Sequence, residues 1–226
     1  MKHYFIAITF CIGSLLSFGQ SNPEKKTGTW YMFSGTHQIS ERLSINTGIQ
    51  LRYYELMSNY NLDFFYSGVT YSINSNTLLT CNYGYLDIDR SIEFTNITNT
   101  IEHRLWEQIT YNHNLSKIPI HHRFRLEHRF LHDIFENTIQ NRLRYRLGTT
   151  IKLNNTYYIN ANNEFFLNLE GEAFRENRLY IAFGFHIHKT IKVELGYLNQ
   201  HINALNLDRL QVGLHIKTDL RKKATH

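Results

Sequence analysis

The most constraining feature of this chain is a strict two-residue alternation from Ile120 to Leu131, with charge confined to one of the two alternating sets. Its even positions are apolar or aromatic apart from two histidines, and its odd positions up to Arg129 hold four charged residues and one histidine. The segment from Ile139 to Ile151 repeats the pattern, with three arginines at alternate positions. Successive side chains of a β-strand point to opposite faces. Each segment therefore predicts a long strand with one apolar face and one face dense in Arg and Glu.

The same two-residue alternation extends over most of the chain, and no window shows the 3.6-residue period of a helix. Pro is nearly absent, with 2 residues in 226, while Tyr and Phe each number 15, a composition typical of strands. Eleven segments are predicted as strands: 29–37, 43–54, 62–73, 77–86, 101–114, 120–131, 139–153, 157–167, 178–187, 191–200 and 208–217. Short turns alternate with longer links between them, which is the pattern of an outer-membrane barrel.

The predicted strands are often ten to fourteen residues long. Strands of soluble proteins average about 5–6 residues, whereas tilted membrane strands need about 9–11. Paired aromatic residues near strand ends, such as Tyr157-Tyr158 and Phe165-Phe166, suit the girdles at membrane interfaces. We therefore expect an all-β, antiparallel, up-and-down transmembrane β-barrel. A soluble periplasmic barrel or sandwich that buries the apolar face is the alternative.

Single-chain bacterial barrels have an even number of strands. Ten or twelve strands are therefore expected rather than the eleven that the pattern suggests. Either Thr29–His37 is not a strand, or the link 87–100 contains a further strand.

The first residues of the chain have the order of a secretion signal. Lys2 gives a positive start, Tyr4 to Leu16 is an apolar run, and Ser17-Phe18-Gly19 offers small residues for cleavage. The expected organisation is a signal peptide at 1–19, a short polar tail at 20–27, a β-barrel at 28–218 and a basic tail at 219–226. The mature protein would then lie in the outer membrane, in contact with the lipid bilayer, with Cys81 as its only cysteine.

The charged face of the strands would line the barrel lumen, with positive charge in excess. The residues predicted to face it are Arg52, Glu102, Arg104, Arg123, Arg125, Glu127, Arg129, Arg142, Arg144, Arg146, Glu164, Arg178, Lys192, Glu194 and Arg209. Arg rings favour anions, so one interpretation is a small pore that prefers anionic solutes. The other is a structural barrel whose lumen is plugged by Arg–Glu ladders, since barrels near eight strands are filled by their own side chains.

Other classes of function have weaker support in the sequence. A lipid-modifying enzyme could use the outward-facing His103, His122 or His128, with Ser67 on another strand, but no Gly-x-Ser-x-Gly motif is present. His186 and His188 share a face without a third ligand fixed by spacing, so neither a metal nor a cofactor is predicted. Nucleic acid is not an expected partner, because the signal removes the chain from the cytoplasm.

Several segments together resemble one protein family. They are Gly28-Thr29-Trp30-Tyr31, Arg104-Leu105-Trp106-Glu107-Gln108, Arg123-Phe124-Arg125-Leu126-Glu127-His128-Arg129, Asn141-Arg142-Leu143-Arg144-Tyr145-Arg146, Glu164-Phe165-Phe166-Leu167-Asn168, Glu176-Asn177-Arg178-Leu179-Tyr180 and Leu195-Gly196-Tyr197-Leu198-Asn199-Gln200. In order and spacing they resemble domain-of-unknown-function family 2490, whose members are secreted proteins of Gram-negative bacteria regarded as outer-membrane barrels. The resemblance implies fold and location, and it brings no catalytic residues.

The last predicted strand carries a further resemblance. Gln211-x-Gly213-x-x-Ile216 is similar to the signal that the outer-membrane assembly machinery reads in a final strand. Thr218 stands where that pattern has an apolar residue, and a basic tail follows. Because of the matching positions, the outer-membrane assembly machinery is an expected partner of this chain.

Overall fold

The computed structural model describes residues 26–89, 99–133, 136–202 and 205–221. The expected signal peptide, residues 20–25 of the expected polar tail and residues 222–226 of the expected basic tail lie outside this part. The described residues form a single sheet with eleven strands: β1 Gly28–Gln38, β2 Leu43–Tyr53, β3 Tyr60–Ser72, β4 Thr77–Ile88, β5 Thr100–Leu115, β6 Ile118–His132, β7 Asn137–Lys152, β8 Tyr157–Asn168, β9 Phe174–His188, β10 Ile191–Ile202 and β11 Leu205–Asp219. Within these ranges no helix is long and apolar enough to cross a membrane.

The sheet closes on itself as a barrel, which confirms the all-β barrel prediction. Sequential neighbours pair antiparallel, while β1 and β11 pair parallel, from Gly28 opposite Arg209 to Gln38 opposite Asp219. The expected number of ten or twelve strands is corrected to eleven in the described part of the chain, and Thr29–His37 is a strand. The barrel is mixed because an odd number of up-and-down strands can close only through one parallel pair.

The two ends of the barrel differ in the length of their connections. We call the end with the links 39–42, 73–76, 116–117, 153–156 and 189–190 the turn end, and the opposite end the loop end. Local side chains stabilise these turns: Asn74 Oδ1 accepts hydrogen bonds from the backbone N–H of Asn76 and Thr77, and Asn154 acts likewise on Thr156 and Tyr157. With eleven strands, the described chain enters β1 at the loop end and leaves β11 at the turn end.

The alternation of side chains gives the barrel an apolar outer surface. Phe124 and Leu143, on adjacent strands, are 54% and 42% exposed, whereas Glu127 is fully buried. Large apolar side chains are exposed on every strand from β2 to β11, among them Ile49, Phe65, Leu79, Ile109, Phe124, Leu143, Phe165, Ile181, Leu195 and Leu214. Apolar side chains therefore face outward on these strands, while the charged side chains of the alternation face inward.

Candidate functional site

The structure places all fifteen residues of the predicted charged set on the buried face of the sheet, in the barrel interior. Glu102 and Glu127 are inaccessible to solvent, and the Lys192 side chain is 32% exposed. One further interior carboxylate, Glu176, is missing from the predicted set although it is 3% exposed and pairs with Arg178. The signal for it was present, because Glu176, Arg178 and Tyr180 continue the alternation of β9 toward its start.

Glu102 joins two arginines that face each other on neighbouring strands. Arg104 on β5 and Arg129 on β6 are register partners, a placement that would be repulsive on its own. The Glu102 carboxylate lies 2.6 Å from an Arg104 nitrogen and 2.7 Å from an Arg129 nitrogen. One buried carboxylate therefore compensates both charges.

Glu127 compensates a second opposed pair in the same way. Arg125 on β6 and Arg144 on β7 are register partners, and both donate hydrogen bonds to the Glu127 carboxylate. Arg142 donates to it as well, through Nε and Nη2. Arg144 also reaches Glu164 on β8, at 2.8 Å, so the ion pairs continue across three strands.

Glu194 forms a separate cluster on β10. Its carboxylate accepts hydrogen bonds from the hydroxyls of Tyr158 and Tyr180, and Lys192 lies 3.3 Å away. The two tyrosine rings lie across glycines of the neighbouring strands, because a Cβ at Gly184 or Gly196 would fall within 2.6 Å of ring carbons. Glycine at these positions therefore makes room for the rings that hold Glu194.

Aromatic rings fill the remaining interior of the loop-end half. Arg178 on β9 stacks on Phe166 of the neighbouring strand β8 at 4.4 Å and on Trp30 of β1 at 5.0 Å, and β1 is not a neighbour of β9 in the sheet. Trp106 packs against Phe64 with ring centroids 5.9 Å apart. Trp106 and Phe166 are 2% and 0% exposed, so solvent does not reach these two rings.

Only part of the predicted aromatic girdle lies on the outer surface. Of the paired aromatics, Tyr157 and Phe165 are exposed on the outer surface, whereas Tyr158 and Phe166 are buried in the interior. Adjacent residues of a strand cannot share a face, so only one of each pair is available to an interface.

The outward-facing histidines have neighbours other than a nucleophile. His128 bonds to Asn141 at 2.7 Å through Nδ1 and lies 3.4 Å from Glu107 through Nε2. Ser67 donates to a backbone carbonyl, and no hydrogen bond joins it to His103, His122 or His128 in the described chain. Nor does any group of three or more His, Cys, Asp or Glu in the described ranges converge as a metal site.

A polar contact at the loop end ties one loop to the barrel wall. The side-chain amide and backbone N–H of Asn141 donate to Glu170 in the link 169–173, each at 2.9 Å. These hydrogen bonds hold the pKa of Glu170 below its ordinary value.

Fold and interior together define a closed eleven-stranded β-barrel with an apolar exterior and a basic, ion-paired interior. The model of a family described as "Protein of unknown function (DUF2490)" matches residues 27–211. The chain belongs to that family, as the resemblance predicted. A search of curated proteins found no match.

Proposed function

We propose that this protein is an outer-membrane β-barrel with a basic interior that is closed at the loop end and takes up small anions from the turn end. The observation that carries the proposal is the exposure of large apolar side chains on ten of the eleven strands while the charges face inward. Soluble monomers rarely expose apolar patches beyond a few hundred Å². A lipid environment removes that cost, because the outer surface then meets acyl chains.

Strand length supports the same placement. The strands contain between 11 and 16 residues, at or above the roughly 9–11 that a tilted strand needs to cross the hydrocarbon core. Tyr83 and Tyr85 on β4 and Tyr157 on β8 add exposed aromatic side chains of the kind found at membrane interfaces.

A basic interior with little free space favours local anion uptake over free diffusion through the barrel. In the loop-end half, Glu102, Glu127, Trp106 and Phe166 are 0–2% exposed, and Trp30 and Phe64 are 4% exposed. Open channels are a property of much wider barrels, of sixteen strands or more. In planar bilayers we expect no steady current of porin size, and a large open-channel conductance would contradict the closed interior.

Fractionation of cells that express the full chain tests the location. We expect recovery in the outer-membrane fraction and slower gel migration after heating, as folded barrels unfold. Recovery in the soluble periplasm would overturn the proposal. It would also favour the alternative of a soluble ligand-binding barrel.

A further inference from the structure

Three pairs of arginines face each other across the β5–β6 and β6–β7 ladders. They are Arg104 with Arg129, Arg125 with Arg144, and Arg123 with Arg146. Directly opposed like charges are destabilising in a sheet. In the first two pairs one glutamate contacts both arginines, Glu102 in one case and Glu127 in the other.

The third pair lacks such a bridge. Arg123 contacts Glu164 at 2.5 Å, but Arg146 has no carboxylate within 4.0 Å and no hydrogen bond to any residue that the structure describes. The Nε atom of Arg123 is also buried without a hydrogen-bond partner. Two guanidinium groups on adjacent strands therefore keep unused N–H donors.

The residues next to this pair offer no missing carboxylate. Toward the turn end, the next interior positions on β6, β7 and β8 are His121, Gly148 and Asn162, and none is acidic. Glu164, the register partner of Arg146, already bonds Arg123 and Arg144. Glu164 and Glu194 attract Arg146 only through space, so its guanidinium N–H donors have no carboxylate bonded to them in the described chain.

The interior as a whole also contains more basic than acidic side chains. Eleven basic side chains of the predicted set share four glutamates of that set and Glu176. Charges within a low-dielectric wall are costly unless they are compensated. Arg146 is half-buried, so it remains accessible to a solute while it is shielded from bulk water.

We propose that a small oxyanion binds between Arg146 and Arg123 and replaces the glutamate that bridges the other two pairs. The ligand class is a phosphate or carboxylate group, because its oxygens match the fork of guanidinium donors. We call this position the Arg146 site. This inference deepens the proposed function by giving the anion a binding site. It rests on the proposed function in one respect, which is that the anion enters from the turn end.

The test uses the folded mature chain in neutral detergent micelles, where binding is measured independently of cellular location. Inorganic phosphate is titrated against chloride at constant ionic strength, and binding is followed by calorimetry and by the ³¹P line width. We expect saturable 1:1 binding that weakens at least tenfold in Arg146→Gln. The matched control is Lys192→Gln, which removes an interior cation that already has Glu194, and its phosphate affinity should stay within twofold of the parent.

A second variant supplies the missing group from the chain itself. Asn162→Asp is nearly isosteric and places a carboxylate on the same face, diagonal to Arg146. It should weaken phosphate binding and raise the unfolding temperature measured without phosphate. This variant keeps the inference testable if Arg146→Gln fails to fold.

Glycerol phosphate serves as a second probe, because the oxyanion could be free or carried by an organic solute. Equal affinities would indicate a free small anion, and tighter binding of glycerol phosphate would indicate a solute-borne one. Absence of saturable binding up to tens of millimolar, or equal binding by parent and Arg146→Gln, would overturn the Arg146 site. Neither result would alter the fractionation that tests the membrane location.

Discussion

Glu127 on β6 is fully buried, and Arg142 on β7 donates two hydrogen bonds to one of its carboxylate oxygens. This contact is the centre of the interior network, because Arg125 and Arg144 reach the other oxygen. A buried ion pair is not in itself strong evidence of net stability, since desolvation opposes the Coulombic attraction. Removing one member of the pair is strongly destabilising, because the charges that remain are still desolvated and no longer have an opposite charge beside them.

The variant Glu127→Gln should therefore be among the most damaging single changes in the barrel. It leaves three buried guanidinium groups around a neutral amide. Breaking a buried pair costs about 3–5 kcal/mol in unfolding free energy. Urea unfolding in detergent can be followed through Trp30 and Trp106, which are both buried in the interior.

Glu107→Gln is the matched control for that experiment. Glu107 is the same residue type on the adjacent strand β5, but its side chain is 57% exposed on the outer surface. Among the described residues its one ion-pair contact is with His128. Its replacement should change the unfolding free energy by less than about 0.5 kcal/mol. Similar losses in both variants would show that the interior network is not what stabilises the barrel.

The glycines under the tyrosine rings give a second prediction about stability. In Gly196→Ala the new Cβ would lie 2.4 Å from a ring carbon of Tyr180, so the buried ring must move. Overpacking of this kind costs about 1–3 kcal/mol. The same substitution in a Tyr180→Ala background should cost little, since the ring is gone. A double-mutant cycle measures the difference, and additive effects would argue against the clash.

Much of this interior could be predicted from the sequence because the two-residue period is a local signal. The alternation in 120–131 and 139–151 predicted the inward positions now occupied by Arg123, Arg125 and Arg144. The girdle prediction counted both members of Phe165-Phe166, although the same alternation places Phe166 on the inward face of the predicted lumen residue Glu164. The whole segment, rather than the aromatic pair alone, decides which ring turns inward.

The strand number could not be predicted for a different reason. Closure depends on pairing β1 with β11, where Ser34 and His215 bond across 181 residues of sequence. No local pattern shows whether two edge strands will meet parallel or antiparallel. The alternation had indicated eleven strands, which is correct. The rule that bacterial barrels have an even number of strands changed this to an incorrect expectation of ten or twelve.

The parallel pairing of β1 with β11 predicts that the two ends of the described chain lie at opposite ends of the barrel. Thr27 precedes β1 at the loop end, and Leu220 follows β11 at the turn end. In a Cys81→Ser background, single cysteines at these two positions should react with an impermeant maleimide from opposite sides of the membrane. Ser58→Cys, in the loop 54–59, should react with the maleimide from the same side of the membrane as the cysteine at Thr27. Labelling of both termini from one side would contradict an eleven-stranded barrel.

The loop contact between Asn141 and Glu170 predicts a dependence on pH. The pKa of Glu170 is lowered, first by the side-chain amide of Asn141 and then by its backbone N–H. A lowered carboxyl pKa stabilises the folded loop at neutral pH, and this contribution is lost as the pH falls through the folded pKa. In an NMR titration, Asn141→Ala should move the Glu170 midpoint upward. An unchanged midpoint would show that the amide does not hold the carboxylate.

Cys81 offers a direct test of what surrounds the outer surface. It is the free cysteine in the described chain, exposed on β4 opposite Glu107 and two residues from Leu79 and Tyr83. If acyl chains cover this face, Cys81 in vesicles should react with a lipid-soluble maleimide and resist a charged, water-soluble one. Ser75→Cys in a Cys81→Ser background lies in the turn 73–76 and should react with the water-soluble reagent, because it lies beyond the apolar band. Fast labelling of Cys81 by the charged reagent would mean that the outer apolar surface faces water or a displaceable partner, and the membrane placement would fail.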